Sequence, residues 1–543
     1  MNPAPTIPRA EPLAEAQPGP TTRRTRSAWR ARLQVIALGV VLASFFAGLV
    51  YVNCYWSSYP YDNDLDEVAW LSAHLSLSRP ESFANQGYPP GLPVLLRLLT
   101  PLVGSLLRAA FLWQSLAATA SVFFVHQIAA ALTEKRTAGA LALYAAGFAG
   151  LPVFTSEFAD GTCTALFLGG LWALIRRDAD RRGFFWFGLA AGAAYLFRTH
   201  YLMLLALVPA GLLVAGLGWR EIARGMLAFA AGFAALAWPL WLMNILAYGT
   251  PLNSGVSQYN IALAVVPHAF SWEDYVNTYS RWPLSRILAE RPWDLAGNCL
   301  KQAVHTLGLR VSLVGGALGC AGMVLIPERQ RRRLLVFSGA LALLYVFVII
   351  VPTRYTDRAF APVAMLCSVL LGCGASELIA RAQRPRWAAL FAIPALLFAA
   401  YPPEVWPALE GRVHAGLKNW RIVKLMVANG MQSSAEVFSN VWNFYNLADP
   451  KFDSFYNYGG WLELDSQYAR ERPHPNASTP EEWEQFFEQH GIHFVILRPS
   501  GRAAGLAQNP PAWWTRLYSD RALSVYKVNP SPAPPSEAAP PPQ

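Results

Sequence analysis

Long apolar runs decide what this chain can become. A helical bilayer span needs about 20 mostly apolar residues, and many windows of the 543-residue sequence qualify. Hydrophobic residues make up 54% of the chain and charged residues 14%, an apolar share above that of an ordinary globular domain. The expected class is therefore a polytopic α-helical membrane protein. A net charge of +10 would suggest nucleic acid in a soluble chain. Here the positive charge sits in short clusters between apolar runs and reads as a topology signal. Of the six cysteines, four lie inside hydrophobic segments, which is no disulfide framework.

Five arginines, Arg23, Arg24, Arg26, Arg30 and Arg32, precede the first run at about 35–52 and place the N-terminus in the cytoplasm. Residues 1–33 read as a disordered basic tail. The apolar piece 88–107 is short, interrupted by Pro101 and Gly104, and carries Arg97. Taken as a span, it would put the clusters Arg176/Arg177/Arg181/Arg182, Arg329/Arg331/Arg332/Arg333 and Arg381/Arg384/Arg386 all outside. Taken as a helix on the outer leaflet, it puts all three inside, which is the bias polytopic proteins follow. The second reading leaves about eleven spans, near 35–52, 108–131, 138–157, 161–175, 184–199, 201–217, 222–246, 304–326, 334–351, 359–380 and 387–405. The C-terminus is then outside. The transmembrane part, 34–428, carries outer loops 53–107 and 247–303. Residues 429–528 alternate strand-like runs (435–438, 493–497, 522–528) with a helical stretch at 480–489, which is a small extracytoplasmic α/β domain. A Pro-rich tail, 529–543, has no expected structure.

Two groups of residues could carry chemistry on the outer side. The first loop packs Asp62, Asp64, Asp66 and Glu67 into a few residues. Asp64 and Glu67 also fit a capping box, so these acids could simply start a helix. The second group is basic: Arg198 with His200 beside it, and Arg354 and Arg358 in the loop 353–358. Outer arginines run against the usual bias and present forks suited to a phosphate; snorkelling or a local ion pair is the plainer reading. Acids and arginines on one face suit a reaction in which a carboxylate deprotonates an acceptor and arginines stabilise a departing phosphate. Asp160 lies on the same face, where it could join the site, hold a divalent metal, or cap the helix after it. No Gly-rich nucleotide loop, Cys/His zinc spacing or nucleophile elbow is present.

The motifs Asp66-Glu67-Val68-Ala69-Trp70-Leu71, Gly87-Tyr88-Pro89-Pro90-Gly91-Leu92-Pro93, Phe158-Ala159-Asp160, Leu196-Phe197-Arg198 and Arg354-Tyr355 before Pro362 occur in that order. Together with the tail stretch Gly491-Ile492-His493-Phe494-Val495-Ile496 they resemble the GT-C superfamily of polyprenyl-phosphate-sugar-dependent glycosyltransferases, in the branch of the protein O-mannosyltransferases and aminoarabinose transferases. The resemblance covers about 35–527. It implies an inverting transfer from a lipid-phosphate sugar at the outer face of an inner membrane, with the first-loop aspartate as base. By position that residue is Asp66, with Glu67 or Asp64 positioning the acceptor; the extra acids Asp62 and Asp64 depart from a single-acid pattern. Arg198, Arg354 and Arg358 are the expected donor-phosphate ligands, with Asp160, His200 and Tyr88 as further candidates. The implied partners are a polyprenyl-phosphate-linked sugar, a lipid, glycan or protein acceptor, and the bilayer, with no nucleic acid. Two other classes stay open: a flippase or transporter of lipid-linked glycans, and a non-catalytic assembly protein that binds through 435–527.

Overall fold

The computed structural model describes residues 20–51, 89–104, 106–154, 158–252, 284–310, 313–352, 360–382, 421–432, 436–439, 460–462, 479–497, 504–521 and 523–529. The chain divides into two units, Met1–Gly48 and Leu49–Gln543. The first is built on helix α1, Pro20–Tyr51. It begins inside the stretch read as a disordered tail. Residues 21–33 hold no Gly or Pro and are rich in Arg, a good helix former that extends the apolar run backwards.

The second unit opens with a short helix α2, Gly91–Val103. Long helices follow: α3 Leu106–Thr133, α4 Arg136–Phe154, α5 Phe158–Arg176 and α6 Arg181–Tyr195. A 3-10 turn, Thr199–Met203, leads into α7, Leu204–Val214, and α8 is Trp219–Tyr248. Then come α9 Leu284–Glu290, α10 Pro292–Arg310, α11 Leu313–Leu325, α12 Arg329–Tyr345 with a π turn Val346–Ile350, and α13 Ala361–Arg381. Five described helices are long and apolar enough to cross a membrane: Arg32–Tyr51, Ala109–Thr133, Trp219–Ala247, Arg329–Ile350 and Ala361–Arg381. The run expected as one span at 304–326 falls on α10 and α11, on either side of residues 311–312, which lie outside the described residues. The run at 387–405 lies outside them too. Helix α6 has 15 residues, about 22 Å at 1.5 Å per residue, short of a hydrocarbon core of about 30 Å.

Small residues set the packing. The contacts Phe184–Gly225, Gly188–Phe229 and Gly192–Phe233 advance together along both chains, so α6 and α8 run parallel. Their backbones approach so closely that a Cβ on Gly188 would collide with the Phe229 carbonyl, and one on Gly232 with that of Phe185. This is the small-residue packing that lets helices associate in lipid without a hydrophobic driving force. Gly188→Leu is expected to push α6 off α8 and cost at least about 1–3 kcal/mol, read as lost yield and a lower melting temperature in detergent. Gly297→Ala, where a Cβ meets nothing within 4 Å, is the control and should be close to silent.

Contacts between turns fix which helix ends lie together. At one end of the bundle Gln330 Nε2 donates to the Asp178 carbonyl (3.2 Å), Lys135 pairs with buried Glu377 (2.7 Å), and Arg381 Nη2 donates to the Leu325 carbonyl (2.5 Å). Arg331 bridges Glu134 and Glu328. These contacts tie the turns after α3, α5 and α11 to the end of α13. The Arg176/Arg177/Arg181/Arg182 and Arg329/Arg331/Arg332/Arg333 clusters and Arg381 therefore share one side, as the charge pattern implied; Arg384 and Arg386 lie outside the described residues.

Toward the C-terminus a five-stranded sheet has the order β2-β1-β3-β5-β4, with β1 Val437–Ser439, β2 Gly460–Leu462, β3 Phe494–Leu497, β4 Thr515–Ser519 and β5 Ser524–Lys527. Strands β2, β1 and β3 are parallel; β5 and β4 are antiparallel to their neighbours. Period-2 alternation serves both faces. Val437, Phe494 and Ile496 pack with Ile422 and Met426, while Phe438 and Val495 pack with Trp483 and Phe487. Trp483 and Phe487 sit on helix α14, Pro480–Gln489, which starts with a reciprocal capping box between Thr479 and Glu482 and Pro in its first turn. No disulfide joins the described cysteines.

Candidate active site

Asp160 stands in the first turn of α5, where the helix dipole favours a carboxylate. Arg198 follows the end of α6, in an extended conformation that starts the 3-10 turn. Its fork meets the carboxylate squarely: Nε donates to Oδ1 at 3.1 Å and Nη2 to Oδ2 at 2.9 Å. The Asp160 side chain is 6% exposed and that of Arg198 15%. Such a pair is held in place by geometry, since either partner alone would leave a charge out of water.

The surroundings explain why the two meet. The N–H of Gly91 donates to the Leu196 carbonyl at 2.8 Å. A Cβ at Gly91 would stand 2.5 Å from that oxygen, so only glycine lets α2 begin against the turn that carries Arg198. Leu92 and Leu96 of α2 then pack with Ala109, Ala110 and Phe111 of α3 and with Ala159, while Phe197 covers the same cluster. Three motifs spread over residues 87–198 thus close on one point. Trp113 Nε1 donates to Thr162 Oγ1 (2.7 Å), and Thr164 Oγ1 donates to the Asp160 carbonyl (2.7 Å).

His200 shares a hydrogen bond of 2.8 Å with the Tyr345 hydroxyl at the end of α12. Its ring lies against Tyr201, and Tyr201 against Tyr345. This ties the segment bearing Arg198 to α12, the helix that precedes Arg354 in the sequence. Sequence reasoning did not single out Tyr345; its hydroxyl inside an otherwise apolar run was the available signal. Because α5 carries Asp160 in its first turn and ends at Arg176, and α12 runs from Arg329 to Tyr345, the cluster lies at the opposite end of the bundle from the arginine-rich turns.

Of the residues read as chemical, the structure brings Asp160, Arg198 and His200 together. Asp64, Asp66, Glu67, Tyr88, Arg354 and Arg358 lie outside the described residues. Among the described residues no three His, Cys, Asp or Glu side chains gather to hold a metal ion.

Residues 88–243, the segment that builds this cluster, match the family model described as dolichyl-phosphate-mannose-protein mannosyltransferase. Among solved structures, ArnT from Cupriavidus metallidurans in the apo state superposes with a TM-score of 0.53 at 14% identity, over 91% of this chain and 98% of that one. The same protein bound to undecaprenyl phosphate gives 0.51 at 13% identity, over 90% and 97%. The chain thus shares the fold of ArnT, and its segment 88–243 is similar to the mannosyltransferase family. At such identities the structural likeness carries the fold alone, and the family match covers residues 88–243. No sequence among the curated proteins matches the chain. Its long apolar helices make it a multi-pass membrane protein.

Proposed function

We propose that this chain is a GT-C glycosyltransferase that moves a sugar from a polyprenyl-phosphate donor to an acceptor at the outer face of an inner membrane, with inversion. The observation that carries the reading is the convergence of three motifs on the Asp160–Arg198 pair, at the end of the bundle away from the arginine-rich turns. The ArnT structure with undecaprenyl phosphate supports a lipid-phosphate donor of that kind. In this reading Asp66 takes the acceptor proton and Glu67 or Asp64 orients the acceptor. The donor phosphate is held by Arg198 together with Arg354 and Arg358. Asp160 orients the Arg198 fork, and His200 with Tyr345 holds its segment in register. Loss of the phosphate then needs no metal-bound nucleophile: the acceptor oxygen attacks the anomeric carbon as its proton passes to Asp66, and the C–O bond to phosphate breaks with its electrons leaving on the phosphate.

The same reading takes α2 as an outer-leaflet helix. It buries Leu92 and Leu96 and exposes Leu98 and Leu102, which are 67% and 78% accessible, a face suited to lipid. About eleven spans then leave the C-terminal sheet outside the cell membrane as an α/β domain. Cysteine labelling of intact cells in a cysteine-free background checks the sidedness: positions 354 and 457 should label and position 332 should not. Labelling at 332 but not 457 would reverse the face on which the site rests. Mass spectrometry of envelope lipids and glycans from cells with and without the gene tests the activity. The expected result is one lost glycoconjugate with its polyprenyl-phosphate sugar accumulating; unchanged profiles would count against the proposal.

A further inference from the structure

We infer that the arginine-rich end of the bundle is a binding surface for acidic phospholipid headgroups. This inference is independent of the proposed transfer reaction. Three helices begin at this end with arginines in their first turns: Arg181 and Arg182 on α6, Arg220 on α8, and Arg329 on α12. Arg224 follows one turn into α8. The positive end of a helix dipole favours anions, so these cations stand against their own helices. Most acids at this end already have other contacts, and the exposed Asp178 carboxylate is far outnumbered by the arginines. Asp180 accepts from the Gly183 N–H and Glu221 from the Gly218 N–H, while Glu134 and Glu328 bind Arg331 and Glu377 binds Lys135.

Arg181, Arg182, Arg220, Arg224 and Arg329 are exposed, and none has a carboxylate partner among the described residues. They form one rim. Helices α6 and α8 lie side by side and parallel, with Phe184 against Gly225 one turn in, and Gln330 reaches the turn before α6. Trp219, 69% accessible, stands at the head of α8, where an indole suits the membrane–water boundary. A rim on which arginines outnumber acids, at a bilayer boundary and with helix N-termini behind it, matches the phosphate of an anionic headgroup. Each such arginine adds to the attraction, and salt weakens it.

The test uses the purified full chain in nanodiscs of phosphatidylcholine and phosphatidylglycerol in equal amounts, with retained lipids counted by native mass spectrometry after release. Retained phosphatidylglycerol should exceed phosphatidylcholine several-fold. The triple variant Arg181→Gln/Arg182→Gln/Arg224→Gln should bring the ratio close to one while helix content and melting temperature stay near parental. Neutralising Arg23, Arg24 and Arg26 in the N-terminal tail removes the same charge elsewhere and should leave most of the enrichment. Three results would overturn the inference: no enrichment in the parental protein, equal loss in the tail variant, or co-purifying nucleic acid in place of acidic lipid.

Discussion

Arg198→Ala is expected to cost the protein about 3–5 kcal/mol, the usual penalty for removing one partner of a buried ion pair. The Asp160 carboxylate would remain, 6% exposed, with its bidentate partner gone. Yield and melting temperature should both fall. Asp160→Asn alone should fall similarly, because it strands the guanidinium. The double variant Asp160→Asn/Arg198→Gln replaces the charged pair with two amides of similar reach and should recover most of the stability, a coupling expected for residues in direct contact. The double variant also separates two roles. If the pair only holds α5 to the end of α6, the restored fold should turn over donor. If Arg198 also binds the donor phosphate, the restored fold should remain slow, by roughly tenfold or more for a lost charge-assisted contact. Arg198→Lys keeps the charge without the fork and should rescue either property only in part.

Asp66→Asn should abolish transfer while leaving the protein folded. Asparagine keeps the size and can still accept a hydrogen bond, but it cannot take a proton. Loss of a general base is worth about 10²–10⁴ in rate. A role confined to capping the following helix predicts the opposite pattern: Asp66→Asn nearly silent, and Asp64→Ala costing about 1 kcal/mol of helix stability. Comparing transfer rate and purified yield for Asp66→Asn, Glu67→Gln and Asp64→Asn in one series decides between them. Full activity in Asp66→Asn with loss in one of the others would move the base along the loop.

What could be read in the sequence follows the range of the interactions involved. Helix α14 is found at the expected residues, Pro480–Gln489, because its cap, its proline and its first-turn glutamates are local signals. The segregation of arginine clusters to one end was legible because it reflects a rule about turns, whatever they pack against. The Asp160–Arg198 pair was not: each residue stood out singly, with a cap or a snorkelling arginine as the plainer account. Only the docking of Gly91 on Leu196, two motifs apart, brings the fork to the carboxylate. Strands β2 and β4 were missed for different reasons. The first has three residues, too few for a period. The second is a largely exposed edge with a register shift between Arg516 and Tyr518, so burial never stamps an alternating pattern on it. The helix from Pro20 was hidden by composition that suits both a tail and a helix.

The central claim, that a lipid-phosphate sugar is consumed at this site, is open to one direct measurement. Purified protein in proteoliposomes is given an envelope lipid extract and acceptor fraction, and free polyprenyl phosphate is followed by mass spectrometry. Release well above a protein-free control by the parental chain, and none from folded Asp66→Asn, is the predicted result. Parental protein that releases no more polyprenyl phosphate than the control, or a variant that releases as much as the parent, would contradict it.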